Sequence, residues 1–115
     1  MRVSRTSTST IGRRLRERRE ALGWSLERVG VEIGLDESSA RARISRYELG
    51  VHQPAEEIAL LLAQALQVPH AFLHCDDDRL AEIILAASEL PEDDQETLLQ
   101  SLRQRLEQLR SSQRK

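Results

Sequence analysis

The sequence predicts an all-α fold, five short helices followed by two C-terminal ones, and three observations carry that prediction. Apolar residues make up 39% of the 115 and are mostly Leu, Ile, Val and Ala, while aromatics reach only 3%. Such a composition suits packed helices better than a sandwich or barrel. Apolar positions then recur at about 3.6-residue spacing along most of the chain. Finally, Ser, Asp and Pro stand where those segments begin, and glycines stand where several end. The length suits one small domain with an accessory element.

Residues 1–10, MRVSRTSTST, carry no periodicity and are expected to form a flexible N-terminal arm ending in a cap at Ser9 or Thr10. The first helix is expected over 11–22, with Ile11, Leu15 and Leu22 on one face. Arg18 and Arg19 fall where that apolar stripe should continue, and Gly23 ends the helix. Ser25 caps the second helix, in which Leu26, Val29, Gly30 and Ile33 recur at helical spacing. Gly30 costs about 1 kcal/mol against Ala inside a helix, which makes sense where another helix crosses close by. Gly34 supplies the turn that follows.

In the third helix Ala40, Ile44, Tyr47 and Glu48 share a face. Ala42, Ser45, Arg46 and Leu49 lie opposite, Arg41 and Arg43 occupy the flanks, and Gly50 closes the segment. Its start has two readings: Asp36 caps a long helix, or Asp36–Ser39 form a looped turn and Ser39 is the cap. The fourth helix, about 55–66, is rich in Ala and Leu and is expected to be buried over much of its circumference. Pro69 opens a short fifth helix to about Leu73. A sixth is expected over 77–90 with Leu80, Ile83, Ile84, Ala87 and Leu90 as its stripe. Pro91 and the acids Glu92, Asp93 and Asp94 begin a seventh that runs to about Arg110. Leu99, Leu102, Leu106 and Leu109 form a two-heptad seam, too short for a free coiled coil. Residues 11–75 thus read as one domain, 76–110 as a helical dimerisation region, and 111–115 as a disordered tail.

The net charge of −2 conceals an asymmetry. Residues 1–50 hold 11 Arg against 7 acidic residues, whereas residues 51–115 hold 5 Arg and 1 Lys against 12. A basic first half and an acidic second half suggest one part that faces nucleic acid and another that faces something else. No apolar run approaches the roughly 20 residues of a membrane span, and the start lacks the apolar core of a secretory signal. A lone Cys75 fits a reducing cytoplasm. His70, His74 and Cys75 precede Asp76–Asp78, but the geometry favours an exposed acidic helix cap over a metal site. Neither a metal nor a cofactor is expected. No nucleophile–base–orienter set and no glycine-rich phosphate loop appears, so an enzyme is not expected.

Two short apolar-periodic segments about Gly34, the second armed with Arg41, Arg43 and Arg46, form a helix-turn-helix. On LGWSLERVGVEIGL, ISRYELG and HQPAEEIALLLAQALQV, the chain resembles the Cro/C1-type, lambda-repressor-like (XRE) helix-turn-helix regulators over roughly residues 11–75. The segment DESSARAR is about four residues longer than the usual link in that family. Leu26 stands where many relatives carry a polar residue, and Gln67 where they carry Gly.

The resemblance implies a five-helix DNA-binding domain and a sequence-specific regulator of transcription, most simply a repressor, on double-stranded DNA. It puts Arg41 and Arg46 at base-reading positions, with Ala42 and Ser45 beside them, and Arg43 on a phosphate. A helix-one arginine, Arg19, is implied to pair with Glu48 and to lie near a phosphate. Ser25, His52, Gln53, Arg2 and Arg5 are candidate backbone contacts. A homodimer joined by Leu99, Leu102, Leu106 and Leu109 would meet paired half-sites about 34 Å apart. The alternative is an antitoxin-type module whose acidic helices neutralise a basic partner while it autoregulates its promoter. No small-molecule effector is indicated.

Overall fold

The computed structural model describes residues 9–114, which form α1 (Thr10–Leu22), α2 (Leu26–Glu32), α3 (Glu37–Leu49), α4 (Glu56–Leu66), α5 (His70–His74), α6 (Asp78–Ser88) and α7 (Glu92–Gln113). The arm residues Arg2 and Arg5 lie outside this range. No strand occurs among the described residues. The chain divides into two compact units, Met1–Leu85 and Ala86–Lys115.

In the first unit, the helix ends follow local chemistry. Ser9 caps α1 by accepting from the Gly12 amide at 3.0 Å, and Ser25 caps α2 by accepting from the Arg28 amide at 3.0 Å. Gly23, Gly34 and Gly50 take left-handed φ values of 74°, 96° and 79°, which side chains disfavour, and so turn the chain after α1, α2 and α3. The core gathers Ile11, Leu15, Val29, Ile44, Tyr47, Leu62, Leu66, Phe72 and Leu73.

Two helix contacts leave no room for a side chain. A Cβ on Gly30 would stand 2.4 Å from the Cβ of Ala40, so α2 and α3 cross with their backbones nearly touching. A Cβ on Gly12 would stand 2.5 Å from the Tyr47 carbonyl oxygen, which brings α1 equally close to the end of α3. These contacts fix the angle at which α3 is presented.

The start of α3 resolves in favour of the longer helix. Asp36 is the N-cap residue, its carbonyl accepts from the Ala40 amide at 2.9 Å, and Ser39 lies inside the first turn. The four extra residues therefore add about one helical turn and keep the apolar face in phase.

Three expectations need correction. α4 buries Ala59, Leu62, Ala63 and Leu66, but Leu60 and Leu61 are exposed, because its packing partners cover one side only. In α6 it is Ala81 that is buried, with Ile84 and Leu85 packed beside it, while Leu80 and Ile83 are half exposed. The first compact unit runs through Leu85. Arg13 and Arg14 both pair with Asp78 and tie the start of α6 to α1.

The third correction lies in the second unit. There α7 continues through Gln113, so residues 111–113 are helical and not part of an irregular tail. Within that unit the Gln95 amide donates to the Ala87 carbonyl at 2.7 Å. α7 buries none of its residues.

Candidate nucleic-acid interface

On α3 the periodicity sorts side chains by fate. Ala40, Ile44, Tyr47 and Glu48 are buried, whereas Arg41, Ala42, Arg43 and Arg46 are exposed and Ser45 is half buried. The exposed side chains form one outward surface a little under two turns long. Among the described residues, the Arg41 and Arg46 side chains have neither a hydrogen bond nor an ion pair. Guanidinium groups are donors only. Two unpaired ones on a convex helix surface call for acceptors from outside, such as phosphate oxygens or the O6 and N7 edge of guanine.

Arg43 differs from them. Its Nε donates to the Tyr47 hydroxyl at 3.3 Å, one turn along the helix. Ser25 is exposed at the start of α2; its oxygen is used by the cap, but its hydroxyl hydrogen remains available. His52 and Gln53 are exposed just beyond Gly50, and the His52 amide donates to the Arg46 carbonyl at 3.3 Å.

Arg19 and Glu48 form a two-point ion pair between α1 and α3. Arg19 Nε donates to Glu48 Oε2 at 2.6 Å and Nη2 donates to Oε1 at 3.1 Å. Glu48 is only 6% exposed and the Arg19 side chain 14%. Nη1 donates to the Trp24 carbonyl at 2.9 Å, so one guanidinium ties together α1, the turn before α2, and α3. Hydrogen bonding to Glu48 raises the Arg19 pKa above its ordinary value against the opposing pull of burial, and the charge is held in place. Most of the donors of Arg19 are thereby consumed.

A second buried arginine was not legible as such in the sequence. The Arg14 side chain is 2% exposed, with Nε on the Cys75 carbonyl at 2.8 Å, Nη1 on Glu17 at 3.0 Å and Nη2 on Asp78 at 3.0 Å. Its guanidinium also lies over the Phe72 ring, 5.9 Å from the centroid. Desolvation lowers the Arg14 pKa, but hydrogen bonds and charge from Glu17 and Asp78 outweigh it, and the net shift is upward. Asp78 in turn is held below the ordinary aspartate value by hydrogen bonds from Arg13 and Arg14. The acidic run Asp76–Asp78 is thus not a bare helix cap. The signal was there in outline: an acidic run and a cluster of arginines with too few local partners.

Among the described residues no group of three His, Cys, Asp or Glu side chains could hold a metal. His70 and His74 pair with each other, Nε2 to Nε2 at 3.0 Å, and Cys75 Sγ donates to the Asp77 carbonyl at 3.5 Å. Trp24 packs against the core with the Arg28 guanidinium 4.2 Å above its ring. In the second unit Leu99, Leu102, Leu106 and Leu109 are each between 40% and 50% exposed. No helix among the described residues is long and apolar enough to cross a membrane.

Comparison with known proteins bears on this geometry. A family described as helix-turn-helix matches residues 15–73. A crystal structure of the transcriptional regulator BswR is 40% identical, with a TM-score of 0.78 over 81% of this chain and 92% of that one. No curated protein matches the chain.

Proposed function

We propose a function that starts from one premise: the chain belongs to the helix-turn-helix family and is a DNA-binding transcriptional regulator. It binds double-stranded DNA sequence-specifically and acts as a repressor, as a homodimer on paired half-sites. The observation that carries this reading is the outward surface of α3, where Arg41 and Arg46 stand exposed without a partner among the described residues.

In this reading α3 enters the major groove. Arg41 and Arg46 bond guanine edges, Ala42 packs a methyl against thymine, and Ser45 adds a hydroxyl. Arg43, on the flank, holds a phosphate, as do Ser25, His52 and Gln53. Arg19 contributes chiefly through Glu48, since few of its donors remain for a phosphate.

The dimer is assigned to the leucine seam of α7. A 22-residue helix is about 33 Å long. With no buried residue of its own and four leucines in register, it is supported as an interface with a second copy. Two recognition helices would then meet half-sites about one turn of DNA apart.

Selection of binding sites from a random duplex library tests the whole reading. The expected result is a palindromic site, relaxed at one base position by Arg46→Ala. With Arg43→Ala the same preference should persist, weaker on all sequences, and with a salt slope reduced by about one unit. A wild-type chain that recovers no preferred sequence would overturn the reading. If Arg43→Ala, and not Arg46→Ala, changed the preference, the reading and phosphate roles would be exchanged.

A further inference from the structure

We infer that Tyr47 is a positioning residue for DNA binding: its buried hydroxyl aims the Arg43 guanidinium at the phosphate backbone. This rests on the proposed reading of α3 and goes beyond it, because the tyrosine itself reaches no DNA.

The geometry distinguishes Arg43 from its neighbours. Among the described residues the Arg41 and Arg46 side chains make no hydrogen bond or ion pair, whereas Arg43 is tethered through Nε. Tyr47 is 5% exposed and its ring belongs to the core cluster, which immobilises the hydroxyl. Its backbone is fixed as well, with the carbonyl so close to Gly12 that no Cβ fits between them.

A hydroxyl held this rigidly is a fixed acceptor one turn along from Arg43. Arg43 spends Nε on it and keeps both terminal nitrogens, the end of the fork suited to gripping a phosphate. An untethered arginine loses rotamer freedom when it binds, and here part of that loss is met on folding. Tyr47 also needs the bond, since a buried hydroxyl without a partner is costly. A purely apolar residue would have filled the core equally well. The hydroxyl is the part of this side chain that the core does not explain.

The test is a cycle on the full chain, read as DNA affinity by fluorescence anisotropy across a salt series on the selected site. Tyr47→Phe should weaken binding roughly 2–10-fold in the wild-type background. It should cost nothing further when combined with Arg43→Ala, because the side chain it positions is gone. Arg43→Lys keeps the charge but has no Nε to bond the hydroxyl. It loses the fork as well as the tether, so it should weaken binding at least as much as Tyr47→Phe with an unchanged salt slope, and Tyr47→Phe should add nothing in that background either. The lysine variant leaves the apolar core intact, so wild-type affinity in it overturns the inference even if Tyr47→Phe folds poorly.

Equal weakening by Tyr47→Phe in all three backgrounds would assign the effect to the core and overturn the inference. So would wild-type affinity in either Tyr47→Phe or Arg43→Lys. If Arg43→Ala alone binds like the wild type, the phosphate assignment of Arg43 falls, and the inference with it. Absence of any sequence-selective binding by the wild type is the separate result that removes the proposed function.

Discussion

Removing the Glu48 carboxylate is the sharpest perturbation of this fold. Glu48→Ala takes away both oxygens that Arg19 bonds, at 2.6 and 3.1 Å, and leaves a guanidinium whose side chain is 14% exposed. Breaking a buried pair from one side costs about 3–5 kcal/mol, because the surviving charge stays buried without compensation. Two features of this site favour the lower end. Arg19 keeps its bond to the Trp24 carbonyl, and Glu20, 4.0 Å away, can take up part of the charge. About 3 kcal/mol in a domain of this size corresponds to a fall in Tm of roughly 12–24 °C. Circular dichroism melts of the full chain at neutral pH measure it. Glu48→Gln, which retains one acceptor, should fall between the wild type and Glu48→Ala. The double variant Arg19→Met with Glu48→Leu, which removes both charges and keeps the volume, should recover most of the stability. A midpoint within a few degrees of wild type in Glu48→Ala would refute the reasoning, as would a double variant less stable than either single one.

Other sites give further expectations. Gly30→Ala improves helix propensity yet forces a Cβ to within 2.4 Å of the Ala40 Cβ, so it should destabilise by about 1–3 kcal/mol in a denaturant melt. Gln67 holds φ 59° at the end of α4, and Gln67→Gly should raise the midpoint by relieving about 1 kcal/mol of strain, less the extra freedom of Gly when unfolded. The Asp78 pKa is depressed on folding by Arg13 and Arg14. Its contribution is therefore present above the unfolded aspartate value and lost as pH falls through the lower folded one. Asp78→Asn should accordingly melt below wild type at pH 7, and the gap should close in acid below the ordinary aspartate range. Charging the seam in Leu102→Glu with Leu106→Glu should give a monomer by sedimentation and lose most operator affinity.

Much of the first unit is legible in the sequence, because its signals are local. A cap bonds an amide three residues away, a helix face repeats every turn, and a left-handed turn needs a glycine at one position. Ser25, Gly23, Gly34 and the face Ala40–Ile44–Tyr47 follow from such short-range rules. Gly30 inside a helix was legible as a close crossing because a helix accepts that penalty only for space. Glu48 announced itself in the same way, as a charge on an apolar face.

The remainder depended on partners that are remote in sequence. Arg14 and Asp78 are 64 positions apart, and nothing in the spacing of either says that they meet. Until they do, Arg14 is one of many helix-one arginines and Asp78 one of three acids. Once they meet, the start of α6 is tied to α1, and Ala81, Ile84 and Leu85 pack on the core of the first unit. The two readings of Asp36–Ser39 are separated by local bonding: the Asp36 carbonyl accepts from the Ser39 and Ala40 amides, and the helix therefore starts at Glu37. Sequence alone determined which segments are helices and which of their faces are apolar, since both depend on neighbours within about one turn. Only tertiary structure decided which charges are buried and how each helix is rotated, because desolvation and ion pairing depend on atoms that the chain brings together from far apart.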